Sequence, residues 1–179
     1  MIIPYLLLLL ASNAFAAEVK DTSDDASEEV SQTPMRKGFY LGFGGSSMAN
    51  LNTTGVGFSF GAAYCWDVNQ ARILLLSEGD FNGAAFLISA GMGGRYFLTK
   101  GNFSPYLGGD FGAGAAKIDG GNILNGQTVG GFVVGLGTGV ELLRGSAVSM
   151  DLGFRAGFLL HSNQLGTPQA MTLRLGLYF

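Results

Sequence analysis

Eight charged side chains recur at alternating positions in a chain otherwise poor in charge: Arg72, Arg95, Arg155 and Arg174 against Glu78, Asp110, Glu141 and Asp151. Their chemistry is ion pairing rather than catalysis. A guanidinium fork can bridge two carboxylates, and four charges of each sign leave no excess for a dry interior to hold. One base-nucleophile pair is present, His161 and Ser162. Adjacent residues on a strand point to opposite sides, and the nearest assigned carboxylates, Glu141 and Asp151, fall toward the other end, so no triad is expected there. Cys65 is the one cysteine, which excludes an intrachain disulfide. There is no Cys/His zinc spacing and no phosphate or dinucleotide loop, and a net charge of -3 gives no basic footprint. No cofactor, no metal, no nucleic-acid partner and no enzymatic activity are therefore expected.

The elements that position the eight charges repeat every two residues. From Gly38 onward, segments of about ten residues set bulky apolar side chains against small or polar ones, the signature of strands with one apolar face. The segment at Val56, Phe58, Phe60, Ala62, Tyr64 and Trp66, opposed by Gly57, Ser59, Gly61, Ala63 and Cys65, is the clearest. The others span 38–48, 70–78, 84–97, 104–116, 129–142, 146–160 and 169–179, with Leu74 and Leu76 blurring the polar face of the third.

Alternation alone also suits a soluble sandwich or a lipocalin-like carrier. Charge and size decide otherwise. Only 13% of residues are charged, 30 are Gly, and the opposing face is mostly Gly with isolated ions where a sandwich would carry Lys, Glu and Thr. A narrow eight-stranded bore needs small residues to make room for a few long polar chains, and a closed ladder leaves no backbone group facing lipid. The expected fold is all-β, an eight-stranded antiparallel up-and-down transmembrane β-barrel with a disordered N-terminal leader. Its interior is expected to hold the eight charges as a sealed network.

Joints at 67–69, 98–103 and 143–145 read as tight periplasmic turns. Those at 49–54, 79–83, 117–128 and 161–168 read as outward loops, with both termini periplasmic. Phe39, Tyr40, Tyr64, Trp66, Tyr96, Phe97, Phe103, Tyr106, Tyr178 and Phe179 are assigned to the inner rim, where amphipathic rings favour the headgroup layer. Ahead of the strands, the apolar run 5–11 and Ala14-Phe15-Ala16-Ala17 read as a cleavable signal peptide over 1–17, although Met1-Ile2-Ile3-Pro4 lacks the usual positive charge and suggests a start farther upstream. An acidic flexible leader follows over 18–36, then the barrel domain over 37–179.

With these residues in hand, the chain resembles the small outer-membrane barrels of the OmpA and OmpX type. Lys37-Gly-Phe-Tyr-Leu-Gly-Phe-Gly-Gly45, Ser104-Pro-Tyr-Leu-Gly-Gly-Asp-Phe-Gly-Ala-Gly114 and Leu173-Arg-Leu-Gly-Leu-Tyr-Phe179 carry the likeness. It implies insertion into a bacterial outer membrane as a monomer among lipids and lipopolysaccharide, with Leu173, Leu175, Leu177 and Phe179 matching the signal read by the outer-membrane assembly machinery. The resemblance implies no shared chemistry, since such barrels serve as tethers, adhesins, porin-like pores or enzymes. Barrel deacylases place one residue between His and Ser, whereas His161 and Ser162 adjoin. With no domain expected after Phe179, a peptidoglycan-binding role has no residues to perform it. The reading is an envelope-integrity or surface-loop role, with a narrow channel or small apolar solute conduit as the alternative and a lipid-modifying hydrolase behind that.

Overall fold

The computed structural model describes residues 36–49, 55–83, 85–117, 128–161 and 167–179. Eight strands follow one another: β1 (Lys37–Ala49), β2 (Gly55–Val68), β3 (Ala71–Asn82), β4 (Ala85–Phe97), β5 (Phe103–Lys117), β6 (Thr128–Leu142), β7 (Ser149–Leu160) and β8 (Gln169–Tyr178). Each pairs antiparallel with its neighbour, and β8 returns to β1, so the sheet is a closed barrel. Reciprocal bonds between Phe39 and Phe179, of 2.7 and 2.9 Å, finish the closure at the end where the described chain begins and stops. That end is called the inner end below.

Closure forces a stagger. Following partners around the wall leads from Gly38 through Cys65, Leu74, Gly93, Asp110, Gly135, Gly157 and Ala170 to Met48, ten residues along β1 from the start. Strands so sheared are steeply tilted, about 35–45° for barrels of this kind.

Side chains alternate between lipid side and bore as the pattern predicts. Phe43, Phe58, Leu107, Leu136 and Leu173 are each about 60% exposed on the outer surface, with Leu75, Phe111, Leu152, Phe154 and Leu175 also exposed among them. A continuous belt of such residues far exceeds the apolar patch a water-soluble monomer tolerates, and it is the surface a barrel presents to acyl chains. Leu173, Leu175, Leu177 and Phe179 all lie on this outer face.

Three features differ from expectation. The joint at 79–83 is largely strand: β3 runs to Asn82 and β4 starts at Ala85, leaving a minimal connection at positive-φ Gly83 and residue 84. Cross-strand pairing continues past Glu78 because Phe81 stacks between Phe58 and Phe60. Asp67 likewise belongs to β2, so the inner turn is Asn69 and Gln70, with Asn69 in the left-handed conformation its side chain tolerates. The turn after β6 is longer than 143–145, since β7 begins at Ser149.

The third difference concerns the rings. Phe39, Tyr96, Phe103 and Phe179 are exposed outward, and Tyr64 packs edge-on against both Phe39 and Trp66. Tyr40, Phe97, Tyr106 and Tyr178 are buried in the bore instead. Each adjoins an outward residue, such as Leu41 beside Tyr40 and Tyr96 beside Phe97, so strand alternation turns it inward whatever its height. The expected signal peptide over 1–17, most of the expected leader over 18–36 and most of the joints 49–54, 117–128 and 161–168 lie outside the described residues.

Candidate functional site

All eight charges predicted from the sequence lie in the bore, and the structure adds two. Asp67 and Asp80, left out as turn and loop residues, also point inward, so six carboxylates meet four arginines there. Backbone alternation places every one of them, and glycine makes the space. A side-chain carbon on Gly157 would run into the Arg155 guanidinium, and one on Gly135 into the Asp110 carboxylate.

At the inner end Arg72 bridges two acids. Its Nε donates to Asp67 Oδ1 at 2.5 Å and its Nη2 to Asp67 Oδ2 at 2.9 Å, while Nη1 donates to Glu141 Oε2 at 2.6 Å. Ser149 Oγ donates to Glu141 Oε1 at 2.7 Å. Both Arg72 and Glu141 are fully buried, and the paired geometry is what offsets their desolvation.

This pair is part of a longer stack that sequence reasoning missed. Arg36 lies 4.4 Å from the Tyr178 ring centre, Tyr178 lies 4.0 Å from Arg72, Arg72 lies 5.2 Å from Phe97, and Phe97 lies 3.6 Å from Arg144. Three cations thus alternate with two rings across the inner mouth. Such a contact contributes about 2 kcal/mol where the cation is desolvated, as at Arg72, and about 0.5–1 kcal/mol at the half-buried Arg36 and Arg144. Arg36 also donates to the carbonyls of Arg144 and Ala147, and Arg144 to those of Thr99 and Asn69, which ties the inner turns together.

Deeper in, Arg95 sits between the Tyr40 and Tyr106 rings, 4.8 and 4.6 Å from their centres. Its Nη1 is 3.2 Å from Asp151 Oδ2, which accepts a 2.9 Å bond from Tyr40. Arg155 grips Asp110 with two bonds of 2.8 and 2.6 Å. Its Nε is also 2.8 Å from Glu78 Oε2, an ionic contact without a hydrogen bond, because that N–H is directed at Asp110. Arg174 Nη1 donates to Glu78 Oε1 at 2.5 Å, so Glu78 joins two arginines. Asp80 accepts a 2.9 Å bond at Oδ1 from the Thr172 hydroxyl.

Among these residues lies a cavity of about 60 Å³. Toward the other end the bore is filled by Met48, Leu87, Val129, Val133 and Leu159 with three alanines.

Neither a protein-family model nor a curated protein sequence matches this chain. Solved structures do. Neisserial surface protein A superposes with a TM-score of 0.68 at 19% identity, over 79% of this chain and 95% of that one. The outer membrane enzyme PagL gives 0.57 at 13%, over 79% and 98%. The N-terminal β-barrel domain of Pseudomonas aeruginosa OprF gives 0.55 at 12%, over 80% and 97%. The fold is that of the small outer-membrane β-barrels.

Within that fold the bore chemistry is that of a filled core. No bore carboxylate described above stands beside a nucleophile and base together. His161 follows the last residue of β7, and Ser162 lies outside the described residues.

Proposed function

We propose that this chain is a non-enzymatic outer-membrane scaffold that maintains envelope integrity or holds its outward loops at the cell surface. The observation that carries the reading is the bore itself, where every inward arginine is committed to a carboxylate or ring and a cylinder with an apolar belt surrounds them. Such an interior supplies rigidity and leaves activity to the loops. The narrower OmpA and OmpX likeness belongs to the same proposal, as do the cleavable signal, periplasmic termini, monomeric state and recognition of Leu173, Leu175, Leu177 and Phe179 by the assembly machinery.

The test is complementation. Cells deleted for the chain should admit a large hydrophobic dye that intact envelopes exclude. An integrity role predicts rescue both by the full chain and by a form with loop 118–127 shortened to a Gly-Ser link, whereas a surface-loop role predicts loss of a binding phenotype in the shortened form alone. Turnover of a lipid substrate by refolded protein, abolished by Ser162→Ala, would overturn the non-enzymatic reading and favour the hydrolase.

A narrow channel is the second reading. Its support is the cavity between Arg95, Asp110, Asp151 and Arg174, and its signature is stepwise conductance altered when Arg95 or Asp110 is neutralised.

A further inference from the structure

The inner end carries more positive charge than its own carboxylates neutralise. Arg36, Lys37, Arg72, Lys100 and Arg144 gather there against Asp67 and Glu141, and both acids are bonded to Arg72 inside the bore. A free carboxylate at Phe179 would still leave two cations in excess. Lys37 and Lys100 are exposed and have no ion-pair partner among the described residues. Arg36 and Arg144 place N–H groups on turn carbonyls, which holds them at the mouth and leaves their charge uncompensated.

Each lysine has large apolar neighbours. Lys37 stands opposite Trp66 in the β1–β2 ladder, on the outer side of the wall, with Phe39 next along that face. Lys100 lies in the β4–β5 turn between Leu98 and Phe103, which are 55% and 60% exposed. Val68 and Val148, at the edges of the other inner turns, are exposed as well. Turns that rest in the interfacial layer bury such side chains, while a lysine stem lies along the apolar surface and its ammonium reaches the headgroups.

This pairing of cation with apolar neighbour selects the occupant. A soluble acidic protein would satisfy the charge and leave Phe39, Leu98 and Phe103 in water. Zwitterionic lipid would cover the apolar side chains and leave the charge excess. An anionic phospholipid does both.

We infer that the inner rim is a docking surface for anionic phospholipids, whose phosphates meet Lys37 and Lys100 while their acyl chains cover the adjoining apolar side chains. This goes beyond the scaffold reading and is decided separately from it, since an envelope role in either form requires no preference among lipids.

Trp66, the one tryptophan, stands at the site and reads it directly. The full chain is refolded into mixed vesicles of phosphatidylcholine and phosphatidylglycerol with matched acyl chains, brominated on one lipid and then on the other. Quenching of Trp66 then gives the relative binding of the two lipids beside Lys37. At low salt the native chain should prefer phosphatidylglycerol by about fivefold, the gain expected of one basic side chain at an anionic surface. The preference should fall toward unity in Lys37→Gln, persist in Lys37→Arg and be unchanged in Lys100→Gln, which lies on a different turn. Moving the tryptophan, by Trp66→Phe with Leu98→Trp, should show the same preference beside Lys100, lost on adding Lys100→Gln. Heat-modifiable migration identifies the folded forms, and Lys37→Met, which keeps an apolar stem, replaces Lys37→Gln should that variant not fold. Equal quenching by the two lipids at either tryptophan overturns the inference, as does a preference at Trp66 that survives the loss of the Lys37 charge. A preference at Trp66 that vanishes in Lys100→Gln overturns it too, because a diffuse surface potential, and not docked headgroups, would then be its source.

Discussion

Arg72 and Glu141 meet across the inner end of the bore through bonds of 2.6 and 3.1 Å, joining β3 to β6, strands that share no ladder. The pair holds opposite walls of the cylinder together where backbone pairing cannot.

Removing one partner should therefore cost far more than removing both. Glu141→Ala leaves a buried guanidinium with Asp67 as its one carboxylate and should destabilise the barrel by about 3–5 kcal/mol, whereas adding Arg72→Ala should recover part of that loss. Urea titration in lipid vesicles, followed by the fluorescence of Trp66, the one tryptophan, measures both.

Tyr40→Phe deletes the hydroxyl that donates to Asp151 while keeping the ring over Arg95. A hydrogen bond to a charged acceptor predicts a loss of about 1.5–3 kcal/mol in the same titration. A change near zero would mean that water substitutes for the hydroxyl at Asp151.

Glycines on the two faces should respond in opposite ways. Gly135→Val drives a side chain into Asp110 and should abolish the heat-modifiable folded band on gels. Gly94→Val, whose added carbon would meet only the Arg72 carbonyl at 3.7 Å on the lipid side, should fold normally.

Leu136 stands near the middle of β6 and is 63% exposed on the belt. Leu136→Arg should cost about 2–4 kcal/mol if that surface meets hydrocarbon at mid-depth. A cost near zero would remove the belt from the lipid.

Leu143 adopts φ 59 in the turn after β6, a conformation that costs a branched apolar residue about 1 kcal/mol. Leu143→Asn should raise the urea midpoint, because asparagine tolerates that geometry.

The strand pattern was legible because lipid-facing and bore-facing positions differ in residue size as well as polarity, as along Phe58, Ser59, Phe60 and Gly61. Strand ends were less so. Asp67 and Asp80 look like turn residues beside Asn69 and Asn82, and only their ladders reveal them as members of the network. The inward rings had a readable signal in the parity of Tyr40 against Leu41 and of Tyr178 against Leu177, which height along the strand overrode. Arg36 and Arg144 had none, since both lie outside the strands and find their partners through closure.

The inner-mouth stack draws Arg36 from the start of the barrel and Tyr178 from its last strand, with Arg72, Phe97 and Arg144 supplied from between. During biogenesis the set stays incomplete until the first and final staves of the cylinder zip together. Only the β1–β8 ladder brings Tyr178 against Arg36 and Arg72, so hydrogen-bonded closure and the shielding of two like charges at the terminal seam arise from one and the same pairing.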